Sequence, residues 1–302
     1  MAGFFIFPLI DAQFSLCYST DTFDYIFIMI NLKTFQNHGK YLMLALDHRG
    51  SFRKYINPTN PDTVTDQELI ETKGLIIEGV QDQFSGLLID AEWGLPGFKN
   101  RNKPYLLPLE KSGYTDKAGE RVTELGYTAA GIKDMGASGA KLLLYFNPDS
   151  KTCDQQIATA KKALVDAHEN NLPFFLEIVT YGNEELGKSR AEWVLRSLEM
   201  LLKENVVPDV WKLEFPGDLS TCEQITKLIG ETPWILLTRG EKFAVFEKQL
   251  AEAVAGGAVG FLAGRALWQE ISDYKTDSEK EEFLNTIVAD RFRKISSIVL
   301  DS

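Results

Sequence analysis

Four charged residues stand where buried strands should have none. The runs Asp-Val-Trp-Lys212-Leu-Glu214-Phe, Gly-Ala-Lys141-Leu-Leu-Leu and Phe-Phe-Leu-Glu177-Ile are otherwise largely apolar. Charge inside an apolar run is costly unless it is paired or does chemistry. Two lysines and two glutamates in three successive runs suit one chemistry well. A desolvated lysine beside a second cation gives up its proton more readily. The neutral amine can then attack a ketone to form an imine, which accepts electrons from the adjacent C–C bond as it breaks. A neighbouring carboxylate, Glu177, would shuttle the protons. Side chains alternate along a strand, so Lys212 and Glu214 share one face while Trp211, Leu213 and Phe215 take the other. A structural ion network of the same four residues is the competing account, because such networks also shift pKa values. Spacing alone does not say which lysine attacks.

A second group of residues suits anion binding. One run ends Leu-Asp47-His48-Arg49, another Leu-Leu-Thr238-Arg239-Gly240, and a third Leu-Ala-Gly264-Arg265. Glycine lets backbone N–H groups approach an oxyanion, and arginine adds a bidentate cation. Thr238, Arg239, Gly240, Gly264 and Arg265 are therefore expected to hold a phosphate, or a sulfonate of similar shape, with His48 and Arg49 as further substrate contacts. A tight turn with a solvated arginine would explain either loop alone; the two together favour an anion. Metal chemistry has less to work with. His38 precedes the patterned region, and His168 falls in an amphipathic stretch. A zinc site built mainly from histidine is not expected. Asp90, Glu92 and Glu214 leave a Mg²⁺ site open. The expectation is an enzyme without cofactor or metal, and chelation would separate it from a metal-dependent lyase or isomerase. A sugar-phosphate sensor that binds without cleaving is the non-catalytic alternative.

The elements that must position these residues follow from periodicity. From Tyr41 onward, short apolar runs alternate with amphipathic stretches, the pattern of βαβ units and a parallel sheet. Eight strands are predicted: Tyr41–His48, Gly86–Trp93, Tyr105–Glu110, Ala140–Phe146, Pro173–Tyr181, Asp209–Phe215, Trp234–Thr238 and Val259–Gly264. Helices are predicted at Pro61–Gln83, Arg121–Met135, Gln155–Asn170, Lys188–Glu204, Thr221–Ile229, Lys242–Ala255 and Ser278–Leu300, and Gly94–Pro104 reads as an irregular loop. This is an α/β pattern that predicts a single-domain (β/α)8 TIM barrel with an N-terminal extension. A doubly wound open sheet is the runner-up, but no GxGxxG follows any strand. Catalytic residues in such barrels lie at the C-terminal ends of the strands, and phosphate usually binds after strands seven and eight.

Composition narrows the class. With 302 residues, one barrel nearly uses up the chain. The 32 basic and 43 acidic residues give a net charge of −11, which argues against nucleic acid or an anionic membrane as partner. A small anionic sugar remains open as partner, given a local cationic cluster, and so does a homo-oligomer. Cys17, Cys153 and Cys222 share no metal spacing and read as free thiols of a reducing cytoplasm. Residues 1–40 are expected to be a loosely docked appendage to a barrel spanning 41–302. No lysine or arginine precedes Lys33, so the basic region of a signal peptide is missing. Translation starting at Met29, with 1–28 as an artefact, is one account of that appendage; N-terminal sequencing that found Met1 or Ala2 would remove it.

Eight segments, taken in order, resemble the class I tagatose-1,6-bisphosphate aldolase family, which includes sulfofructose-phosphate aldolases. They are LALDHRG, LIDAEWGLP, LEKSGY, GAKLLLYFNPD, PFFLEIVTY, DVWKLEFP, PWILLTRG and GFLAGRALW, across about residues 41–268. The resemblance implies a lyase that cleaves a phosphorylated ketose reversibly into two three-carbon fragments. It implies Lys212 as the Schiff-base lysine, Glu177 as the proton-transfer group, and Lys141 and Asp47 in the active site. It places Thr238 and Arg265 at phosphate-binding positions. Two positions depart from the family: His48 stands where Gln is common, and Thr238-Arg239-Gly240 where Ser-Ala-Gly is common. Related barrels acting on deoxy-phosphogluconate-type sugars carry a similar Asp-His-Arg run, which widens the choice of sugar.

Overall fold

A computed structural model describes residues 30–302, apart from 118 and 183–186. Eight parallel strands close on themselves: β1 (Tyr41–Leu46), β2 (Gly86–Ile89), β3 (Tyr105–Pro108), β4 (Gly139–Phe146), β5 (Phe174–Thr180), β6 (Val210–Leu213), β7 (Trp234–Leu237) and β8 (Gly260–Ala263). β1 pairs with β2 on one side and β8 on the other, which completes the (β/α)8 barrel and removes the open sheet. Every expected strand is present; seven are shorter than predicted, and β4 begins one residue earlier, at Gly139. Asp47, His48, Glu110, Glu214, Thr238 and Gly264 fall just beyond the strand ends, at the barrel's upper mouth.

The period-two alternation works as the residue types require. On β1, Tyr41, Met43 and Ala45 join an apolar cluster inside the barrel, while Leu42, Leu44 and Leu46 join the core under the helices. On β6, Val210 points in, and Trp211 and Leu213 pack outward. Lys212 therefore points inward from a strand whose other face is fixed by about 1.5–3 kcal/mol of burial per large apolar side chain. Phe175 likewise sits one period below Glu177 on β5.

Ile30, Leu32 and Phe35 join the interior cluster with Met43, Leu88, Leu106, Phe175, Val210, Ile235 and Leu262. Part of the expected appendage is thus the floor of the barrel. The expectation about Met29 and residues 1–28 lies outside the described residues.

Helices cover the outside: α1 (Asp66–Val80), α2 (Ala129–Asp134), α3 (Cys153–Glu169), α4 (Arg190–Lys203), α5 (Leu219–Ile229), α6 (Phe243–Ala255), α7 (Asp277–Phe283) and α8 (Ala289–Leu300). α1 starts at a Thr65–Glu68 capping box, so it is shorter than the predicted Pro61–Gln83. The predicted terminal helix is α7 and α8 joined by a π turn, Leu284–Val288. The predicted helix Arg121–Met135 is corrected. Glu120–Val122 pairs instead with Thr115–Lys117 as an antiparallel hairpin above the β3–β4 side of the mouth, and only α2 is helical. Gly126 interrupts the helical pattern by donating its N–H to the Leu109 carbonyl, and Thr128 then caps α2 through the Gly131 N–H. Among the described residues no helix is long and apolar enough to cross a membrane.

Candidate active site

The upper mouth opens into a pocket of about 640 Å³, a size suited to a small organic substrate. Strand register sets its floor. Glu177 pairs with Lys212 across β5 and β6, and with Leu143 across β4 and β5. Lys141, one period below Leu143, reaches up into the same layer. Its ammonium lies 2.9 Å from Asp47 Oδ2, 2.6 Å from Glu110 Oε1 and 2.9 Å from Glu177 Oε2. Glu177 Oε2 is also 2.8 Å from Lys212 Nζ. The four expected catalytic residues, Asp47, Lys141, Glu177 and Lys212, are thus brought together, and Glu110 completes the set.

The two lysines differ in kind. Burial disfavours the Lys141 ammonium, but Asp47, Glu110 and Glu177 outweigh it and hold its pKa well above the ordinary value. Lys141 is a fixed cation. Lys212 has one carboxylate partner, Glu177, already shared with Lys141. Burial would raise the pKa of Asp47 and Glu177, yet Lys141 and Lys212 pull both below the usual carboxylate range. Both carboxylates are therefore ionised at neutral pH.

His48 forms another wall of the pocket, its ring in a mutual cluster with those of Tyr55 and Trp268. Burial lowers its pKa to about 4, with Arg265, Lys73 and Lys212 opposing protonation and Asp47 favouring it. The ring is neutral at pH 7, and its Nδ1 is buried without a hydrogen-bond partner in the protein. Stability is expected to fall as pH drops from about 6.5 through 4. The unfolded state then takes up the His48 proton that the folded site resists, and near pH 4 the unfolded state also begins to take up the protons that the folded Asp47 and Glu177 resist. Melting temperatures across this range check the sign; a flat or rising profile would refute it.

Behind this wall, Lys73 of α1 fills all three ammonium donors. It donates 2.8 Å to the Leu46 carbonyl and 2.7 Å to the His48 carbonyl, and it is ion-paired with Asp90. Asp90 in turn accepts from the N–H groups of Glu92, Trp93 and Gly94. The carbonyls on either side of Asp47 are thereby pinned. Of the Mg²⁺ candidates, Asp90 is engaged at the turn after β2. Glu214 accepts from the Thr180 N–H at 3.0 Å and from its hydroxyl, and pairs with Arg239. Asp90 and Glu214 are spent on different contacts, and neither Glu214 nor Glu92 is in the pocket wall. The expectation that Glu214 shares the working face of Lys212 is corrected on the same ground, because beyond the strand end its carboxylate turns to Thr180 and Arg239.

Thr238, Arg239, Gly264 and Arg265 line the pocket between β7 and β8, with His48 and Arg49 from the β1 end beside them. Arg265 Nη1 donates to the Tyr55 hydroxyl at 3.1 Å. The Arg239 guanidinium is held by Glu214 and by the Thr180 carbonyl at 3.2 Å, which ties three strand ends together. Gly240 stands outside the wall, beneath Arg265; a Cβ there would lie 2.8 Å from the Arg265 Cζ. Arg49 donates 2.9 Å to the Glu110 carbonyl.

Sequence reasoning missed Glu110, Lys73 and Arg121. Glu110 was visible only as a carboxylate ending an apolar run. Lys73 sat on an amphipathic helix like any solvated lysine, and Arg121 was assigned to a helix. Of the other histidines, His38 is exposed and His168 is buried 2.8 Å from Asp209, both away from the pocket. Cys153 and Cys222 are buried free thiols.

Residues 41–270 match the sequence profile of the DeoC/LacD family of aldolases. A tagatose 1,6-diphosphate aldolase of Streptococcus pyogenes is 28% identical over 266 residues, spanning 76% of this chain and 80% of that one. Its counterpart in Staphylococcus haemolyticus is 29% identical over 265 residues, 74% and 79% of the two chains. The fold is similar to that of a Schiff-base-forming fructose-1,6-bisphosphate aldolase, with a TM-score of 0.61 at 21% identity over 85% of this chain and 96% of the other.

Proposed function

Since the chain belongs to the DeoC/LacD family of aldolases, we propose that it uses Lys212 as an imine-forming nucleophile to cleave a phosphorylated ketose, such as tagatose 1,6-bisphosphate, into two three-carbon fragments. One observation carries this reading. Lys141 is locked as a cation by three carboxylates, whereas Lys212 faces a single one that can take its proton. Glu177 removes the Lys212 proton and returns it to the carbinolamine oxygen, which leaves as water. Lys141 keeps Asp47 ionised through this exchange and favours the return of Glu177 to its ionised form once the proton has been passed on. Asp47 and neutral His48 orient the sugar hydroxyls. Thr238, Gly264 and Arg265 hold the phosphate next to the ketone. Arg239 supports them from behind, and Arg49 fixes the Glu110 loop.

Borohydride added with substrate should leave a covalent adduct on Lys212, located by peptide mass spectrometry. An adduct on Lys141 would overturn the assignment. A Gly240→Ala variant probes the phosphate end. Gly240 has φ +80°, and the new methyl would press on the Arg265 guanidinium. We expect a stability loss of about 1–3 kcal/mol from the left-handed backbone, together with a raised KM for phosphorylated substrate. An unchanged KM would separate Gly240 from phosphate binding.

A further inference from the structure

Several arginines line the pocket, but they are not equivalent. Arg265 and Arg49 come from β8 and the end of β1, on one side of the ring. Arg121 comes from the hairpin that links β3 to β4, almost half-way round the barrel from Arg265. Lys141, Glu177 and Lys212 lie on the strands between them. Among the described residues no carboxylate pairs with Arg121. Its guanidinium instead sits by three tyrosine rings, 5.1 Å from Tyr114, 5.7 Å from Tyr145 and 5.0 Å from Tyr181.

Stacking of this kind holds a guanidinium by its faces and leaves the N–H groups around its edge to donate. Among the described residues none engages those side-chain donors, while the main chain beneath is fixed. The Arg121 N–H donates to the Tyr181 hydroxyl at 3.1 Å, its carbonyl accepts from Gln156 Nε2 at 3.2 Å, and Glu120 beside it accepts from Tyr181 and Ser150. This is a positioned cation with its fork open, unlike a solvated surface arginine. Lys111, the other cation nearby, pairs with Glu124.

We propose that Arg121 binds a second anionic group of the substrate, a phosphate or sulfonate on the end of the aldehyde fragment, opposite the phosphate held by Arg265. The proposal rests on the imine reading of Lys212, since that lysine fixes which end of the sugar lies at β8. The pocket then recognises a ketose charged at both ends and bends over Lys212 between two arginines. Arg121 determines specificity and takes no part in bond breaking.

The test compares three aldehyde acceptors in the condensation direction with dihydroxyacetone phosphate as donor: glyceraldehyde 3-phosphate, the sulfonate analogue of that aldehyde, and neutral glyceraldehyde. The wild type is expected to prefer a charged acceptor, and the better of the two names the anion. Arg121→Met should lose about 10- to 100-fold of that preference, the scale of one charge-assisted bidentate contact. Arg121→Lys keeps a cation against the tyrosines, which guards the fold, yet should also lose preference because an ammonium lacks the fork. Melting curves establish that each variant is folded. Preference retained in both variants, or absent from the wild type, overturns the proposal. Borohydride trapping of the donor on Lys212 is run alongside in each variant. Failure of trapping in the wild type would sink the imine reading, whereas trapping with unchanged preference would sink only the role of Arg121.

Discussion

Lys212→Ala is expected to lower turnover by roughly 10⁴-fold or more, the scale seen when a covalent nucleophile is removed. The loss should appear in kcat, because the ketose can still dock between the phosphate-binding loops and the hairpin. Borohydride should no longer trap substrate on the protein. The fold should survive, since Glu177 keeps Lys141 as partner after the change, and the outward-facing Trp211 and Leu213 still hold the strand. Turnover within tenfold of wild type, in a variant that melts normally, would show that the imine forms elsewhere or not at all.

Lys141→Met is expected to be the most destabilising single change in the pocket. It removes the one cation at the centre of Asp47, Glu110 and Glu177 and leaves three carboxylates facing each other with little water. Breaking a buried ion pair in this way costs about 3–5 kcal/mol. The penalty should depend on pH in the sense opposite to the wild type's acid sensitivity. Without the cation, repulsion and burial raise the carboxylate pKa values, so the unfolded state is the better acid and the defect grows as pH rises. Variant and wild type should converge as the solution becomes acidic. Activity should fall too, since Glu177 would take up a proton and could no longer accept one from Lys212. Chemical denaturation at several pH values is the measurement. A gap that is constant with pH would mean that Lys141 acts through packing and not through charge.

Some of this was legible in the sequence because strand periodicity is rigid. With a repeat of two, Val210 inside and Trp211 outside leave Lys212 no choice but the interior, and the same logic places Lys141 and Glu177. Closure of the sheet was favoured over an open one by eight runs joined through six helical links and one irregular loop. What failed lay past the strand ends, where the repeat no longer constrains direction. Glu214 looked like the inward neighbour of Lys212, but the strand ends at Leu213 and its carboxylate turns to Thr180 and Arg239. Glu110 lies beyond β3, and nothing in its own segment reveals that a lysine on the next strand will meet it at 2.6 Å. Arg121 was hidden by a segment whose charges mimic a helical face until Gly126 breaks it. Lys73 was hidden because a buried lysine on an amphipathic helix has the same spacing as an exposed one. The choice of Lys212 over Lys141 came from the family resemblance; the carboxylate count around the two lysines supports it, and no spacing rule supplies that count.

The apolar plug formed by Ile30, Leu32 and Phe35 has a consequence for traffic. Among the described residues it fills the lower end of the barrel, so the pocket that Lys212 lines opens at the upper mouth. On the imine reading proposed above, the fragment bonded to Lys212 is the last to leave, with the other fragment on the side of the exit. In cleavage, the aldehyde must depart before the ketone can be released from its imine. In synthesis, the ketone must load first. The covalent bond and the closed lower end of the barrel then favour the same order of arrival and departure.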